Sequence, residues 1–307
     1  MPRTEIPPYD QDSYLVGLVG AGIGPSLTPP MHEREADELG LRYLYRRLDL
    51  GTLGVAESAI GDIVASARLT GFDGLNVTHP CKQLVVPHLD KLSPEAAGLG
   101  AVNTVVLRDG EAIGHNTDVS GFAEGFHRGL PGVAVDRVVT LGAGGAGAAV
   151  SHALLTLGAG TLSVFDRDEA RAQQLVDSLR RHFGDDRAET GSVDRDLPSA
   201  LRAADGFVHA TPTGMQEHPG LPVPRDLLHE RLWVADVVYR PLDTELVVTA
   251  RDLGCRVLDG GRMAVFQAVD AFRLFTGREP DAERMLRHFD ALVGKAGPER
   301  PESNGSS

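Results

Sequence analysis

Short apolar runs alternate with longer segments of helical spacing along most of this chain, the rhythm of an α/β protein with parallel sheet. Residues 14–20 (YLVGLVG) predict a strand, and residues 29–41, opened by two prolines, a helix. A second strand is expected at 43–50, a second helix at 54–71, and a strand running into a loop at 72–80. Two short helical pieces, KQLVVPHL and SPEAAGLG, precede a hairpin over AVNTVVLRDG and EAIGHNTD. Its turn is assigned to Asp109-Gly110, a dipeptide that tolerates the positive φ of a tight hairpin turn.

The rhythm changes near Asp118. A helix at 119–130 and a linker, PGVAVD, lead into strand RVVTLGA, helix GAAVSHALLTLGA and strand TLSVFDRD, a complete βαβ unit. A helix from EARAQQ, strand-like segments at 206–215 and 231–241, another helix and a short strand, CRVLDG, follow. The last two helices, RMAVFQAVDAFRLFTG and DAERMLRHFDALVGKA, are expected to fold back onto the first half. The architecture read from this pattern is a two-domain α/β protein with a cleft between its domains. Residues 14–117 with 262–297 are assigned to an N-terminal α/β substrate-binding domain, and residues 118–261 to a Rossmann dinucleotide-binding domain. The polar, Pro-rich start (1–13) and the tail (298–307) are expected to be disordered.

Composition narrows the function. A net charge of −13 over 307 residues gives no general attraction for nucleic acid or an anionic membrane. No apolar run approaches the ~18 residues that span a bilayer, and the start has no apolar segment of a secretory signal. The two cysteines, Cys81 and Cys255, form no CxxC pair and fit a reducing cytosol, so a cytoplasmic enzyme is expected. Eleven histidines include no HExxH, and no cluster suggests a metal.

The stretch VVTLGAGGAGAAV carries G-x-G-x-x-G as Gly142, Gly144 and Gly147, with Gly145 and Ala146 between them. The first glycine allows the sharp turn and the second lets backbone approach a diphosphate. The third lets helix and strand pack closely, while free N–H groups at the helix start face the phosphates. A strand precedes the loop and a helix and second strand follow. That second strand ends at Asp166, 19 residues past Gly147, near the ~20 expected of a carboxylate that binds ribose hydroxyls. Together these predict a dinucleotide site. A carboxylate there repels a 2′-phosphate, so NAD is expected in preference to NADP; Arg167 next to it is placed to stack on adenine or to reach a 2′-phosphate.

Oxidising a secondary alcohol needs a hydride acceptor and a base for the hydroxyl proton. There is no Ser-Tyr-x-x-x-Lys arrangement and no obvious His–Asp pair. NVTHPCK (76–82) and GHNTD (114–118) instead end polar runs with Lys82 and Asp118, in the kind of loop that serves a ligand at a cleft. Asp118 also stands where a helix N-cap is expected.

Eight motifs in order, GPSLTPPMHE, GLNVTHPCK, GAVNTVV, GHNTD, GAGGAG, HATPTGM, DVVYRPLDTELV and MAVFQAVDAF, resemble those of the shikimate/quinate dehydrogenase family over roughly residues 14–295. The resemblance implies that Lys82 and Asp118 are the catalytic pair. It implies Ser26 and Thr28 at the substrate carboxylate, Tyr239 near it, and Thr78, Asn103 and Gln267 on ring hydroxyls. It adds Thr211, Val237, Gly260 and Met263 to the dinucleotide contacts, with a plain core methionine as the other reading of Met263. One tension accompanies the pair: a carboxylate partner favours the charged lysine, whereas a base must be neutral.

Three departures point within the family. The first motif reads Ser-Leu-Thr after GIGP, where Ser-x-Ser is usual. FDRDEAR replaces the Asn-Arg-Thr type stretch that grips NADP. HATPTGM begins with His209, where asparagine is common. The first two resemble the NAD-dependent quinate/shikimate branch, which implies reversible oxidation of the C3 hydroxyl of quinate or shikimate to the 3-dehydro acid. Two alternatives stand beside it, an NADP-dependent shikimate dehydrogenase of aromatic amino-acid biosynthesis and a non-catalytic dinucleotide- or ligand-sensing protein on the same fold. The expected partner is a small-molecule substrate, with the chain a monomer or homodimer.

Overall fold

The computed structural model describes residues 13–295. The expected disordered ends fall outside that range, except Ser13, which begins the first strand.

Two six-stranded sheets build the molecule. The first holds β1 (Ser13–Gly20), β2 (Arg42–Asp49), β3 (Gly74–Val77), β4 (Lys91–Leu92), β5 (Thr104–Arg108) and β6 (Glu111–His115), in spatial order β2-β1-β3-β5-β6-β4. Its first three strands are parallel, whereas β5 runs antiparallel to both β3 and β6. The hairpin turn falls at Asp109 and Gly110, both with positive φ, as expected of that dipeptide. Helices α1 (Thr28–Glu38), α2 (Leu50–Leu53), α3 (Ile60–Leu69), α4 (Cys81–Leu84) and α5 (Pro94–Leu99) connect these strands. The helix expected over 54–71 is shorter, because Gly54 adopts a left-handed conformation (φ 66°) that ends α2.

Helix α6 (Thr117–Gly129) leads into the second sheet. That sheet holds β7 (Arg137–Leu141), β8 (Thr161–Phe165), β9 (Ala188–Thr190), β10 (Gly206–His209), β11 (Trp233–Asp236) and β12 (Arg256–Leu258). Their order, β12-β11-β10-β7-β8-β9, is parallel throughout. Helices α7 (Gly145–Thr156), α8 (Glu169–Phe183), α9 (Leu197–Ala203) and α10 (Glu245–Asp252) complete the doubly wound unit. β9 and α9 are short, and the polar segment around them carries too little apolar spacing to have been anticipated. The order reverses between β7 and β10, and such a switch point opens a crevice at the carboxyl ends of the strands.

The last helices, α11 (Gly260–Thr276) and α12 (Ala282–Lys295), return to the first sheet. Val265, Phe266 and Val269 of α11 pack with Met31 of α1 and with Met285 and Phe289 of α12, while Ala271 and Phe275 meet Val16 and Leu18 of β1. A fully buried Glu35 on α1 receives two guanidinium hydrogen bonds from Arg284 of α12 (2.8 and 2.6 Å) and the N–H of Asp281 (2.8 Å). These satisfy its charge away from water. Helix α6 lies against α11 through glycines spaced four residues apart, which share one face of a helix. A Cβ on Gly121 would stand 2.6 Å from the Gln267 backbone nitrogen, and one on Gly125 3.4 Å from that of Met263. Glycine is therefore what lets the two helices approach so closely. Among the described residues no helix is long and apolar enough to cross a membrane.

Candidate active site

The glycine loop lies where β7 ends at the switch point. Gly142 adopts φ 113°, and a Cβ there would meet the Ala210 carbonyl oxygen at 2.6 Å. A Cβ on Gly147 would stand 1.9 Å from the Gly142 carbonyl oxygen. Gly144, by contrast, faces open space, and no side chain caps α7, which starts at Gly145. The N–H groups at the start of that helix thus stay available to an anion in a concavity only glycine leaves open. Those features fit a dinucleotide diphosphate. Asp166 follows β8, 13% exposed, its carboxylate accepting the N–H groups of Ala143 (2.8 Å) and Asp168 (2.9 Å). Each oxygen keeps a lone pair for a further donor. Arg167 is exposed beside it, and Arg171 approaches the same carboxylate at 3.9 Å.

Across from this loop sits the expected Lys82–Asp118 pair. The ammonium of Lys82 donates to Asp118 Oδ2 at 2.5 Å, with the two side chains 20% and 9% exposed. Lys82 lies in α4, its backbone carbonyl accepting the Val102 N–H (2.8 Å). Its Cδ stands 3.5 Å from where a Cβ on Gly145 would be, so the lysine stem borders the nucleotide loop. Asp118 is in the first turn of α6, but it is not the N-cap. Asn116 takes that place, accepting the Asp118 N–H (3.2 Å) and donating to the Ala101 carbonyl (3.0 Å). The Asp118 carboxylate is thereby left to the lysine.

Asn103 sits directly beneath. Its side-chain carbonyl accepts the Thr117 N–H (2.7 Å) and the Thr104 hydroxyl (3.0 Å), while its amide donates to the Thr117 hydroxyl (3.0 Å). The carbonyl side is saturated, and one amide N–H is left for a ligand. Asn103 therefore also fixes the start of α6, and with it Asp118. Asn76 carries on the network, donating to Thr104 (3.0 Å) and accepting the Tyr45 hydroxyl. Thr78 follows β3, its N–H bound to the Val19 carbonyl (2.9 Å) and its own carbonyl accepting the Cys81 N–H (2.8 Å).

Ser26, Thr28 and Tyr239 form a second group. The Ser26 hydroxyl accepts the Thr28 N–H at 3.3 Å and is hydrogen-bonded to Tyr239, whose phenol burial pushes above its usual value. Two arginines that the sequence reading did not single out hold this loop. Arg47 donates to the Ser26 carbonyl (3.0 Å) and Arg240 to the Pro25 carbonyl. Asp49 anchors the preceding turn by accepting the Ile23 N–H (2.7 Å), and such backbone donors, Ile23 first, hold its carboxyl below the usual range. Partners 21 and 215 residues apart leave no local signal. Gln267 packs its backbone on Gly121, one turn beyond Asp118, and donates to the Ala264 carbonyl (3.0 Å).

On the nucleotide side, the Thr211 methyl lies 3.1 Å from where a Gly142 Cβ would be, and a Cβ on Gly260 would stand 2.6 Å from the Val237 carbonyl oxygen. Met263 is buried in the core of the second domain. One expectation is corrected here. A His–Asp pair does exist, His209 Nδ1 to Asp236 Oδ1 at 2.9 Å, wholly buried at the ends of adjacent strands β10 and β11. Its members are 27 residues apart, so only the parallel register brings them together.

A lysine–carboxylate pair beside a glycine loop that fits a diphosphate suits a dinucleotide-dependent oxidoreductase acting on CH–OH groups, the class to which the relatives below belong. Residues 18–105 match a model of the shikimate dehydrogenase substrate-binding domain, and residues 261–288 one of the shikimate 5′-dehydrogenase C-terminal domain. The chain is 66% identical to a shikimate dehydrogenase (NADP(+)) of Streptomyces avermitilis, over 93% of this chain and 98% of that one. It is 51% identical to a quinate/shikimate dehydrogenase (NAD(+)) of Corynebacterium efficiens, over 92% of this chain and 100% of that one. Among solved structures, it is similar to the quinate dehydrogenase of Corynebacterium glutamicum in complex with NAD, with TM-score 0.85, 48% identity and coverage of 91% and 99%. The chain belongs to the shikimate/quinate dehydrogenase family.

Proposed function

We propose that this protein is an NAD-dependent quinate/shikimate dehydrogenase, interconverting the C3 hydroxyl of quinate or shikimate with the ketone of the 3-dehydro acid. The observation that carries the choice of NAD is the Asp166 carboxylate at the end of β8, on the rim of the glycine loop. A negative charge there disfavours a 2′-phosphate and suits the two hydroxyls of an unphosphorylated ribose. The name of the Corynebacterium efficiens relative supports the same choice.

Residues 14–117 with 262–297 hold the substrate in this reading, and residues 118–261 the dinucleotide. Gly142, Gly144, Gly145, Ala146 and Gly147 hold the diphosphate. Asp166 and Arg167 hold the adenosine end, and Thr211, Val237, Gly260 and Met263 the other half. When bound, the dinucleotide supplies the acceptor for the hydride that leaves C3. Ser26 and Thr28, with Tyr239, bind the substrate carboxylate through neutral donors, while Thr78, Asn103 and Gln267 hold ring hydroxyls. Lys82 faces the C3 oxygen. In oxidation its amine takes the hydroxyl proton as the C–H electron pair departs, and in reduction its ammonium returns that proton to the alkoxide. Asp118 holds the lysine Nζ in place and accepts from a neighbouring hydroxyl. Two free, buried cysteines support a place in the reducing cytosol.

A second reading is favoured by the 66% identical relative, whose name specifies NADP(+), and by Arg167 and Arg171 beside the acid. It makes the protein an NADP-dependent shikimate dehydrogenase with the same catalytic pair. The test of either is turnover of quinate or shikimate with a nicotinamide dinucleotide. Activity that disappears in Lys82→Ala while dinucleotide still binds supports dehydrogenation at this pair. Binding with no turnover in the unaltered chain favours the non-catalytic alternative.

A further inference from the structure

We propose that His209 is a positioning residue of the dinucleotide site, fixing the hydroxyl proton of Thr211 so that this oxygen acts toward the bound dinucleotide as an acceptor. The inference rests on the reading of Thr211 as a dinucleotide contact.

His209 ends β10 and is completely buried. Nδ1 of its ring lies 2.9 Å from Asp236 Oδ1, and Nε2 lies 2.5 Å from the Thr211 hydroxyl oxygen. Asp236 ends β11 and is also buried. Its carboxylate accepts the Val238 N–H (3.0 Å) on one oxygen and the Thr244 hydroxyl (2.7 Å) on the other. Thr244 in turn caps α10 by accepting the Val247 N–H (3.2 Å).

A carboxylate offers no proton, so Nδ1 of the ring carries the hydrogen of the first bond. In the neutral imidazole Nε2 is then an acceptor, and the hydrogen it takes is that of the Thr211 hydroxyl. Thr211 oxygen also accepts the Thr213 N–H at 3.3 Å. Its proton points back to His209, and one lone pair of the oxygen is left for a further donor. Such an oxygen suits a ribose hydroxyl or a carboxamide N–H and repels a phosphate oxygen. Thr211 lies two residues past the end of β10, the strand that flanks the switch point, with its methyl against Gly142, where a dinucleotide crosses. A chain of fixed bonds thus runs from the α10 cap through two buried side chains to the hydroxyl of the half-buried Thr211. Buried networks of this kind hold a group more firmly than any single bond.

The test uses the full chain and NADH as the probe, with affinity read by fluorescence titration and KM read separately for shikimate and NAD. His209→Asn keeps an amide N–H for Asp236 but has nothing at the Nε2 position; Thr211→Val removes the hydroxyl, and Thr211→Ser keeps it. Losing one hydrogen-bonding group weakens NADH by about three- to tenfold. We expect that loss in His209→Asn and Thr211→Val, near-native binding in Thr211→Ser, and no change in KM for shikimate. The double variant is expected to bind no worse than either single one, since both remove the same arrangement. Losses that multiply in the double variant, or Thr211→Val binding NADH as tightly as the native chain, overturn the proposal. If His209→Asn fails to fold, the comparison of Thr211→Val with Thr211→Ser still decides it. Absence of NADH binding in the unaltered chain overturns the dinucleotide reading itself, a separate failure.

Discussion

Asp166 accepts the backbone N–H of Ala143 at 2.8 Å, so the acid expected to grip a ribose also ties the end of β8 to the glycine loop. The two roles have separable signatures. Asp166→Ala removes a charged acceptor from two backbone donors, and thermal denaturation should report a loss of about 1–3 kcal/mol. If the carboxylate also selects the dinucleotide, kcat/KM for NAD falls and that for NADP rises in the same variant. An unmoved ratio with lowered stability confines Asp166 to holding the loop.

Lys82 and Asp118 are bonded at 2.5 Å beside the nucleotide loop. Replacing Lys82 by alanine is expected to lower kcat by about 10²–10⁴, the usual contribution of a positioned acid/base group. NADH affinity, measured by fluorescence, should change little, because the lysine meets the loop only through its stem. Asp118→Asn should lower kcat less and raise KM for the substrate, since the amide can still accept from Nζ but no longer balances its charge.

Acid stability should carry the mark of His32. Its ring is fully buried among Tyr43, Tyr45, Phe272 and Phe275, with Nδ1 against the Tyr43 hydroxyl (3.0 Å) and Nε2 unpartnered. Burial pushes its pKa down to about 3. The folded state therefore keeps the ring neutral while the unfolded chain takes up a proton below ~6.5. Stability from this group is complete above that pH and is lost as pH falls toward 3, by about 1.4 kcal/mol per unit. Denaturant titrations at pH 7, 6, 5 and 4 should show the slope, reduced by one proton in His32→Gln. An equal slope in both would remove His32 from the account.

The glycine face of α6 predicts a coupled loss. Gly121→Ala places a methyl 2.6 Å from the Gln267 nitrogen and 2.8 Å from its Cβ, and forcing such a contact costs about 1–3 kcal/mol. Helix α6 carries Asp118 and α11 carries Gln267, so kcat/KM for the acid substrate should fall with the melting temperature. A variant that melts earlier but turns over normally would show that the two helices do not set the site.

Much of this was legible in the chain. The βαβ unit at 137–165 shows because its strands are continuous apolar runs and its turn is built from glycines that only a tight loop requires. Lys82 and Asp118 were visible as the ends of polar runs. What stayed hidden depends on partners brought close by the sheets. The His209–Asp236 pair exists only through the β10–β11 register, and Glu35 looks like any helical glutamate until α12 delivers Arg284. Asn103, expected on a substrate hydroxyl, also gives most of its side chain to Thr117 and Thr104, a division of labour that spacing cannot reveal. The Asn116 cap, two residues before Asp118, shows how an acid near a helix start is easily mistaken for the cap itself.

The central claim is tested most directly by following nicotinamide absorbance with quinate or shikimate, each paired with NAD or NADP. The account predicts turnover of both acids with NAD and little with NADP. Strong activity with shikimate and NADP alone would contradict it, and would mean that Arg167 and Arg171 outweigh the carboxylate between them and the loop.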